Sequence, residues 1–239
     1  MNKFFNLKNK VIFLTGASGF IGKKILYSLN DEGCILILLL RNKQSLKKIK
    51  QFEKKKNIYI YYVDLNNEKE LEIVLFKIKN KFKKIDGIIN MASSSSGLGS
   101  ARFKNKFNKF NNAFNTNFLA PLKIILTLKN SLKKGRTSKN TASVINLSSI
   151  YGIFSPDQNI YKNDKYVNPI DYGCSKSSQI QMSRYLANDK AFGKVRFNNI
   201  IVGPVPNQNV NFHQQIDKKK LISKIPIRRL GQPDDLIGI

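Results

Sequence analysis

Residues 11–26 read Val-Ile-Phe-Leu-Thr-Gly-Ala-Ser-Gly-Phe-Ile-Gly-Lys-Lys-Ile-Leu: an apolar run, a turn with glycine at 16, 19 and 22, and then apolar residues at helical spacing. The unbroken apolar run describes a strand buried on both faces. Each glycine has a separate use: Gly16 permits a tight turn, Gly19 lets backbone approach a pyrophosphate, and Gly22 lets helix and strand pack closely. The helix beyond offers unpaired N–H groups and the positive end of its dipole to the same phosphates. The stretch therefore predicts a strand–turn–helix unit that binds a dinucleotide.

Outward from this unit the pattern repeats. Val11 to Thr15, Cys34 to Leu40, Ile58 to Val63, Gly87 to Met91, Ser143 to Leu147 and Val195 to Val202 are near-continuous apolar runs. Amphipathic stretches separate them, with Ile21, Ile25, Leu26 and Leu29 in the first, Leu71, Val74, Leu75 and Ile78 in a later one, and Leu122, Ile125, Leu126 and Leu128 in the next. Strands alternating with helices predict an α/β fold, a single doubly wound parallel sheet of six strands spanning residues 1–239. Three loops follow strand ends, Ser93 to Asn112, Phe154 to Pro169 and Pro204 to Asn211. In an open parallel sheet that edge is where ligands bind.

The chain has 239 residues, of which 41% are hydrophobic, enough for a sizeable core. Its 42 basic residues against 15 acidic ones give a formal charge of +27. Only seven are arginine, and Lys, Asn, Ile and Phe, all with A/T-rich codons, are abundant together. The charge reads as a base-composition effect, and no nucleic-acid partner is expected. Cys34 and Cys174 stand far apart, without partner spacing for a disulfide or metal cage, so both are expected as buried thiols and no metal is expected. The longest apolar run falls well below the roughly 20 residues that cross a bilayer, and no secretion signal is expected. No membrane partner and a cytoplasmic location are the expectations.

Two further features carry chemistry. The second strand ends Leu39-Leu40-Arg41-Asn42, with no carboxylate for ribose hydroxyls and a guanidinium suited to a 2′-phosphate. NADP(H) is therefore expected over NAD(H). Tyr172 and Lys176, in Tyr-Gly-Cys-Ser-Lys, lie one helical turn apart and share a face. A phenol titrates near pH ~10, and a neighbouring cation lowers that value, which would suit Tyr172 to exchange a proton with a substrate hydroxyl or carbonyl.

At this point the chain resembles the short-chain dehydrogenase/reductase family over essentially its whole length. The landmarks arrive in family order: Thr15 to Gly22, Asp64-Leu65, Asn90-Met-Ala-Ser93, Asn115-Thr-Asn-Phe-Leu-Ala-Pro121, Ile145 to Gly152, Tyr172 to Lys176, and Arg196 to Pro204. The resemblance implies a turn contacting cofactor through Gly16, Ser18, Gly19, Phe20, Ile21 and Gly22. Arg41, Asp64, Leu65, Asn90, Ala92 and Gly203 would add further contacts. It implies that Ser149 polarises the substrate oxygen and that Tyr172 is the acid/base. Lys176 would hold the nicotinamide ribose and lower the Tyr172 pKa, and Asn117 would help position a water linking Lys176 to solvent. The implied activity is hydride transfer between a nicotinamide and a carbonyl or alcohol on a small-molecule substrate.

The chain departs from the family pattern in places. Its T-G-x-x-G-x-x-G spacing is usual in the extended branch of epimerases and dehydratases, so a cofactor-retaining epimerase or dehydratase stands as an alternative; a non-catalytic basic protein binding a polyanion is another. Ser93 replaces a family glycine and Val202 a family proline. Twenty-two residues separate Ser149 from Tyr172, a longer, tyrosine-rich insertion that resembles a subgroup associated with bacterial surface-sugar and flagellin-glycan biosynthesis. This suggests a polar sugar derivative, attracted by Arg102, Lys104 and Lys106. His213 is expected to be a surface residue. After Arg228 to Ile239 the family ordinarily continues through a seventh strand, which is missing here, and this is expected to weaken the dimer or tetramer the family suggests.

Overall fold

β1 (Val11–Thr15) is the inner strand around which the sheet is ordered. The computed structural model describes residues 6–97, 107–135, 141–163, 167–207 and 215–238. β2 (Ile35–Leu40) and β3 (Ile58–Tyr62) lie to one side of β1; β4 (Gly87–Asn90), β5 (Ser143–Ser149) and β6 (Arg196–Val202) lie to the other. All pairs are parallel, in the order β3-β2-β1-β4-β5-β6. The order reverses between β1 and β4, where an open sheet forms its ligand crevice.

Alternation along each strand divides two cores. Phe13, Ile37, Ile88 and Val144 point to one face, beneath α3 (Glu68–Lys81), α5 (Ala120–Thr127) and α7 (Ile170–Asn188). Ile12, Leu14, Leu36 and Leu38 point to the other, beneath α1 (Phe20–Asp31) and α2 (Lys43–Lys47). Burial on both faces explains why the strands read as continuous apolar runs.

α4 (Phe107–Phe114) passes into a π-helical turn at Asn115–Leu119 and then into α5; α6 (Lys129–Lys134) follows, and α8 (Lys218–Ser223) lies after β6. The wide turn puts Thr116 and Asn117 inside. In α5 the buried face is Pro121, Ile124, Ile125 and, just beyond, Leu128, while Leu126 is exposed. This corrects the expected face of Leu122, Ile125, Leu126 and Leu128: three consecutive apolar residues at 124–126 leave the helical phase undetermined, and packing selects the i, i+3, i+4, i+7 set. Cys34 is buried as expected, but Cys174 is exposed, on the side of α7 away from the sheet. Among the described residues no helix is long and apolar enough to cross a membrane, and no group of His, Cys, Asp or Glu is arranged to hold a metal. Arg102, Lys104, Lys106 and His213 lie outside the described residues.

Candidate active site

The glycine turn closes around backbone rather than side chains. Gly16 has φ +72°, and a Cβ there would stand 2.5 Å from the Ala92 nitrogen. A Cβ on Gly22 would stand 2.1 Å from the Gly16 carbonyl oxygen. Thr15 Oγ1 accepts hydrogen bonds from the N–H groups of Met91 (3.1 Å) and Ala92 (3.2 Å), which pins the end of β4 to the turn. α1 starts after Gly19 with no side-chain cap and no acidic residue in its first turn. Its leading N–H groups and dipole are thus left for an anion. These features fit the pyrophosphate of a dinucleotide.

From this turn a cleft of about 530 Å³ runs along the carboxyl ends of the strands. Gly16, Ser18, Gly19, Phe20, Ile21, Gly22, Arg41, Asp64, Leu65, Ala92, Ser149, Tyr172, Lys176 and Gly203 all line it. A larger open groove of about 1130 Å³ lies beyond Phe20, between α1 and residues 228–234, and touches none of Ser149, Tyr172 or Lys176. Asn90 departs from expectation: its side chain is buried and donates to Asn146 Oδ1 at 2.8 Å, so it braces β4 against β5 instead of lining the cleft.

At the far end, Arg41 Nε donates to Asp64 Oδ2 at 2.9 Å. Burial pushes the Asp64 carboxyl up, but hydrogen bonds from Asn66 and the Arg41 guanidinium outweigh it and hold the group below the usual carboxylate range. Arg41 is 72% exposed, so this pair adds little to stability; its consequence is to aim the guanidinium across the strand ends.

β5 runs two residues beyond the apolar run, because Ser148 and Ser149 pair with Ile201 and Val202 of β6. Ser149 thus ends the strand at the cleft, where its Oγ accepts the Tyr151 N–H at 3.2 Å. α7 follows Pro169 and turns a polar face inward: Asp171, Ser175, Lys176, Gln179 and Ser183 are all buried. Burial raises the Tyr172 phenol above its ordinary value, while hydrogen bonds with Ser149 and Ser93 pull the other way. The ammonium of Lys176 lies 5.9 Å from the Tyr172 ring centre, and in the chain as folded desolvation of the phenol outweighs the influences that lower its pKa. Ser93, where the family has glycine, supplies one of those hydroxyls, a contact no local spacing announces.

Lys176 is 2% exposed and donates to the Leu147 carbonyl at 2.6 Å, with Gln179 Oε1 at 3.5 Å. Among the described residues no carboxylate pairs with it, and burial lowers its pKa to about 8. Below about pH 8 the lysine is protonated in both folded and unfolded chain, and the desolvation penalty is fully present. Between about 8 and the ordinary 10.5 the unfolded chain binds the extra proton, so stability rises with pH. Unfolding free energy of the wild type relative to Lys176→Met is expected to rise by on the order of 3 kcal/mol from pH 7 to 10.5. Urea titrations of both proteins measure it; a difference independent of pH would contradict the buried charge.

Asn117 is fully buried, and its amide is committed to protein partners. Oδ1 accepts the Ser94 N–H, and Nδ2 donates to the Ser94 carbonyl and to Ser175 Oγ, each at 2.8 Å. Both amide hydrogens are used, so the side chain clasps the loop after β4 to the turn of α7 before Lys176 and has none left to give a water. Asp171 makes a second clasp, accepting from Ser96 N at 2.7 Å and Ser96 Oγ at 2.6 Å.

Comparison with known proteins agrees with this fold. The family model for short chain dehydrogenase matches residues 10–217. The post-translational flagellin modification protein A of Campylobacter coli is 25% identical over 91% of this chain and 86% of its own length. A short chain dehydrogenase from Leptospira borgpetersenii with bound NAD+ superposes with TM-score 0.77 at 26% identity, covering 98% of this chain and 84% of that one. Pseudomonas aeruginosa RhlG with NADP has the same fold, with TM-score 0.81 at 21% identity over 98% of this chain and 89% of that one. With the glycine turn, the cleft and the Ser149, Tyr172 and Lys176 set in place, this chain belongs to the short-chain dehydrogenase family of oxidoreductases.

Proposed function

We propose that this chain uses NADP(H) to interconvert a carbonyl and an alcohol on a polar, sugar-like small molecule. The observation that carries the reading is the convergence of the Ser149 and Tyr172 hydroxyls at the cleft, in front of the buried ammonium of Lys176. A nicotinamide bound in the cleft supplies or takes up the hydride. Ser149, whose Oγ already accepts the Tyr151 N–H, directs its own hydrogen at the substrate oxygen. Tyr172 Oη gives a proton to that oxygen in reduction and takes it back in oxidation. Lys176, held by the Leu147 carbonyl, keeps a positive charge behind the phenol, where it stabilises phenolate as it forms. Asn117 and Asp171 act as positioning residues that fix α7 against the loop after β4. A polyanion-binding protein has no use for these converging groups, and a cofactor-retaining epimerase would leave NADPH unconsumed.

The preference for NADP(H) rests on Arg41. The second strand ends without a carboxylate, and among the described residues only the Nε–H of Arg41 is engaged, which leaves its terminal NH2 groups for a 2′-phosphate. Calorimetric titration is expected to give tighter binding of NADPH than NADH. Arg41→Ala should weaken NADPH about 10- to 100-fold, the loss of one or two hydrogen bonds to a charged group, and leave NADH within about three-fold. Preference for NADH, unchanged by the substitution, would overturn this assignment. The sugar-like substrate is supported by the resemblance to the flagellin modification protein and by the tyrosine-rich insertion after β5.

A further inference from the structure

The insertion after β5 is built onto α7 and onto the segment after β6, and it seats Tyr151 beside Ser149, within electrostatic reach of the Tyr172 phenol. Gly152 and Gly173 let the turn at 150–152 lie directly on α7: a Cβ on Gly173 would stand 2.9 Å from the Tyr151 carbonyl oxygen, and one on Gly152 would stand 2.9 Å from the Lys176 backbone. Tyr151 is therefore seated beside the residue that follows Tyr172, and its N–H is on Ser149 Oγ. Its hydroxyl lies 3.2 Å from that of Tyr161.

Tyr161 is in turn fixed by backbone. It forms an antiparallel bridge with Ile216, flanked by hydrogen bonds from Lys162 N to Gln215 O (3.1 Å) and from Asp217 N to Ile160 O (2.8 Å). Asp157 and Lys224 add an ion pair at 2.6 Å between the same two segments. The phenol oxygen of Tyr161 also accepts the Asn168 N–H. Two phenols carry two hydroxyl hydrogens, and only one lies between the pair. With Asn168 occupying an acceptor position, the pair keeps one hydrogen for a further acceptor, in a half-buried place where donors need partners.

We propose that Tyr151 and Tyr161 together read the substrate, selecting carbonyl compounds that carry a hydroxyl on the carbon next to the reacting one. This rests on the carbonyl/alcohol reading above and assigns its selectivity to a named pair. A hydroxyl on that carbon accepts the spare phenol hydrogen and donates to a phenol oxygen, whereas a methyl group there strands a donor. The anchoring across two segments holds the pair ready before substrate arrives, which limits the ordering cost of recognition.

The test uses two ketones of nearly equal size, hydroxyacetone and 2-butanone, with NADPH and the full chain. The two differ in intrinsic carbonyl reactivity, so the readout is how each variant changes the ratio of their kcat/KM values. Tyr151→Phe and Tyr161→Phe each remove one hydroxyl and keep the ring. Each is expected to lower kcat/KM for hydroxyacetone about 10- to 100-fold while changing 2-butanone less than about three-fold. Equal losses on both ketones would mean that the pair only supports the fold, and no loss on either would mean that it does not meet substrate; both overturn the proposal and leave the oxidoreductase reading standing. Failure of the wild type to reduce hydroxyacetone also overturns it, and NADPH oxidation with larger carbonyl compounds then decides the oxidoreductase reading separately.

Discussion

Tyr172→Phe is expected to lower turnover about 10³-fold while leaving NADPH affinity within about three-fold, since a positioned acid/base contributes roughly 10²- to 10⁴-fold. The substitution removes one oxygen and keeps the ring that α7 carries at this position. Phenylalanine cannot exchange a proton with the substrate oxygen, and the neighbouring Ser149 cannot replace it, because an alkyl hydroxyl is far less acidic than a phenol. The phosphate-binding turn lies on α1, away from the change, so the dinucleotide should still bind. Burial holds the phenol above its ordinary value in the chain as folded, against the hydrogen bonds of Ser149 and Ser93. Ser93→Gly, which removes one of those bonds, would therefore raise it further and move the alkaline limb of any pH–rate profile upward. Steady-state kinetics and calorimetric titration separate the two quantities. Turnover near the wild-type rate in Tyr172→Phe would remove the phenol from the reaction.

Gly22→Ala should have the largest effect on structure. Alanine is the better helix former by about 1 kcal/mol, so on propensity alone the variant would gain stability. The contact decides otherwise. An added Cβ would stand 2.1 Å from the Gly16 carbonyl oxygen and 3.0 Å from the Ala17 Cα, both fixed backbone atoms at the base of the turn. Relief requires α1 to move away from β1, and overpacking of this kind costs roughly 1–3 kcal/mol, occasionally more. A net loss of up to about 2 kcal/mol is expected, or several degrees in Tm for a chain of this length. NADPH binding should be abolished, because the same shift pulls the leading N–H groups of α1 off the pyrophosphate position. Thermal unfolding with and without NADPH reads both effects. A variant as stable as the wild type, with affinity intact, would show that the turn does not bind as described.

The strands were legible because burial on both faces writes them as continuous apolar runs. β5 extends past its run for a reason no single segment holds: Ser148 and Ser149 are carried into the strand by pairing with β6, some fifty residues later. The glycine turn and the spacing of Tyr172 and Lys176 are local, and both were visible. What the residues around Tyr172 do was not. Lys176 reaches the Leu147 carbonyl, Ser93 reaches the phenol, and the Asn117 amide spends its hydrogens on Ser94 and Ser175. Asn90 looked like a cleft residue from its motif, yet its side chain turns inward to Asn146. Such contacts join residues distant in sequence, with no periodicity to betray them. The exposed Cys174 illustrates the same limit, since α7 buries polar residues on one face and leaves a thiol on the other.

The proposed reaction turns on a single event, the delivery of hydride from a nicotinamide in this cleft to a carbonyl whose oxygen is protonated by Tyr172. It is measured by mass spectrometry of the alcohol formed from a hydroxyketone with NADPH deuterated at C4 on the transferred face. One deuterium per product molecule is expected from the wild type, with product formation all but lost in Tyr172→Phe. Alcohol without the label, or labelled alcohol formed equally fast by Tyr172→Phe, would refute it.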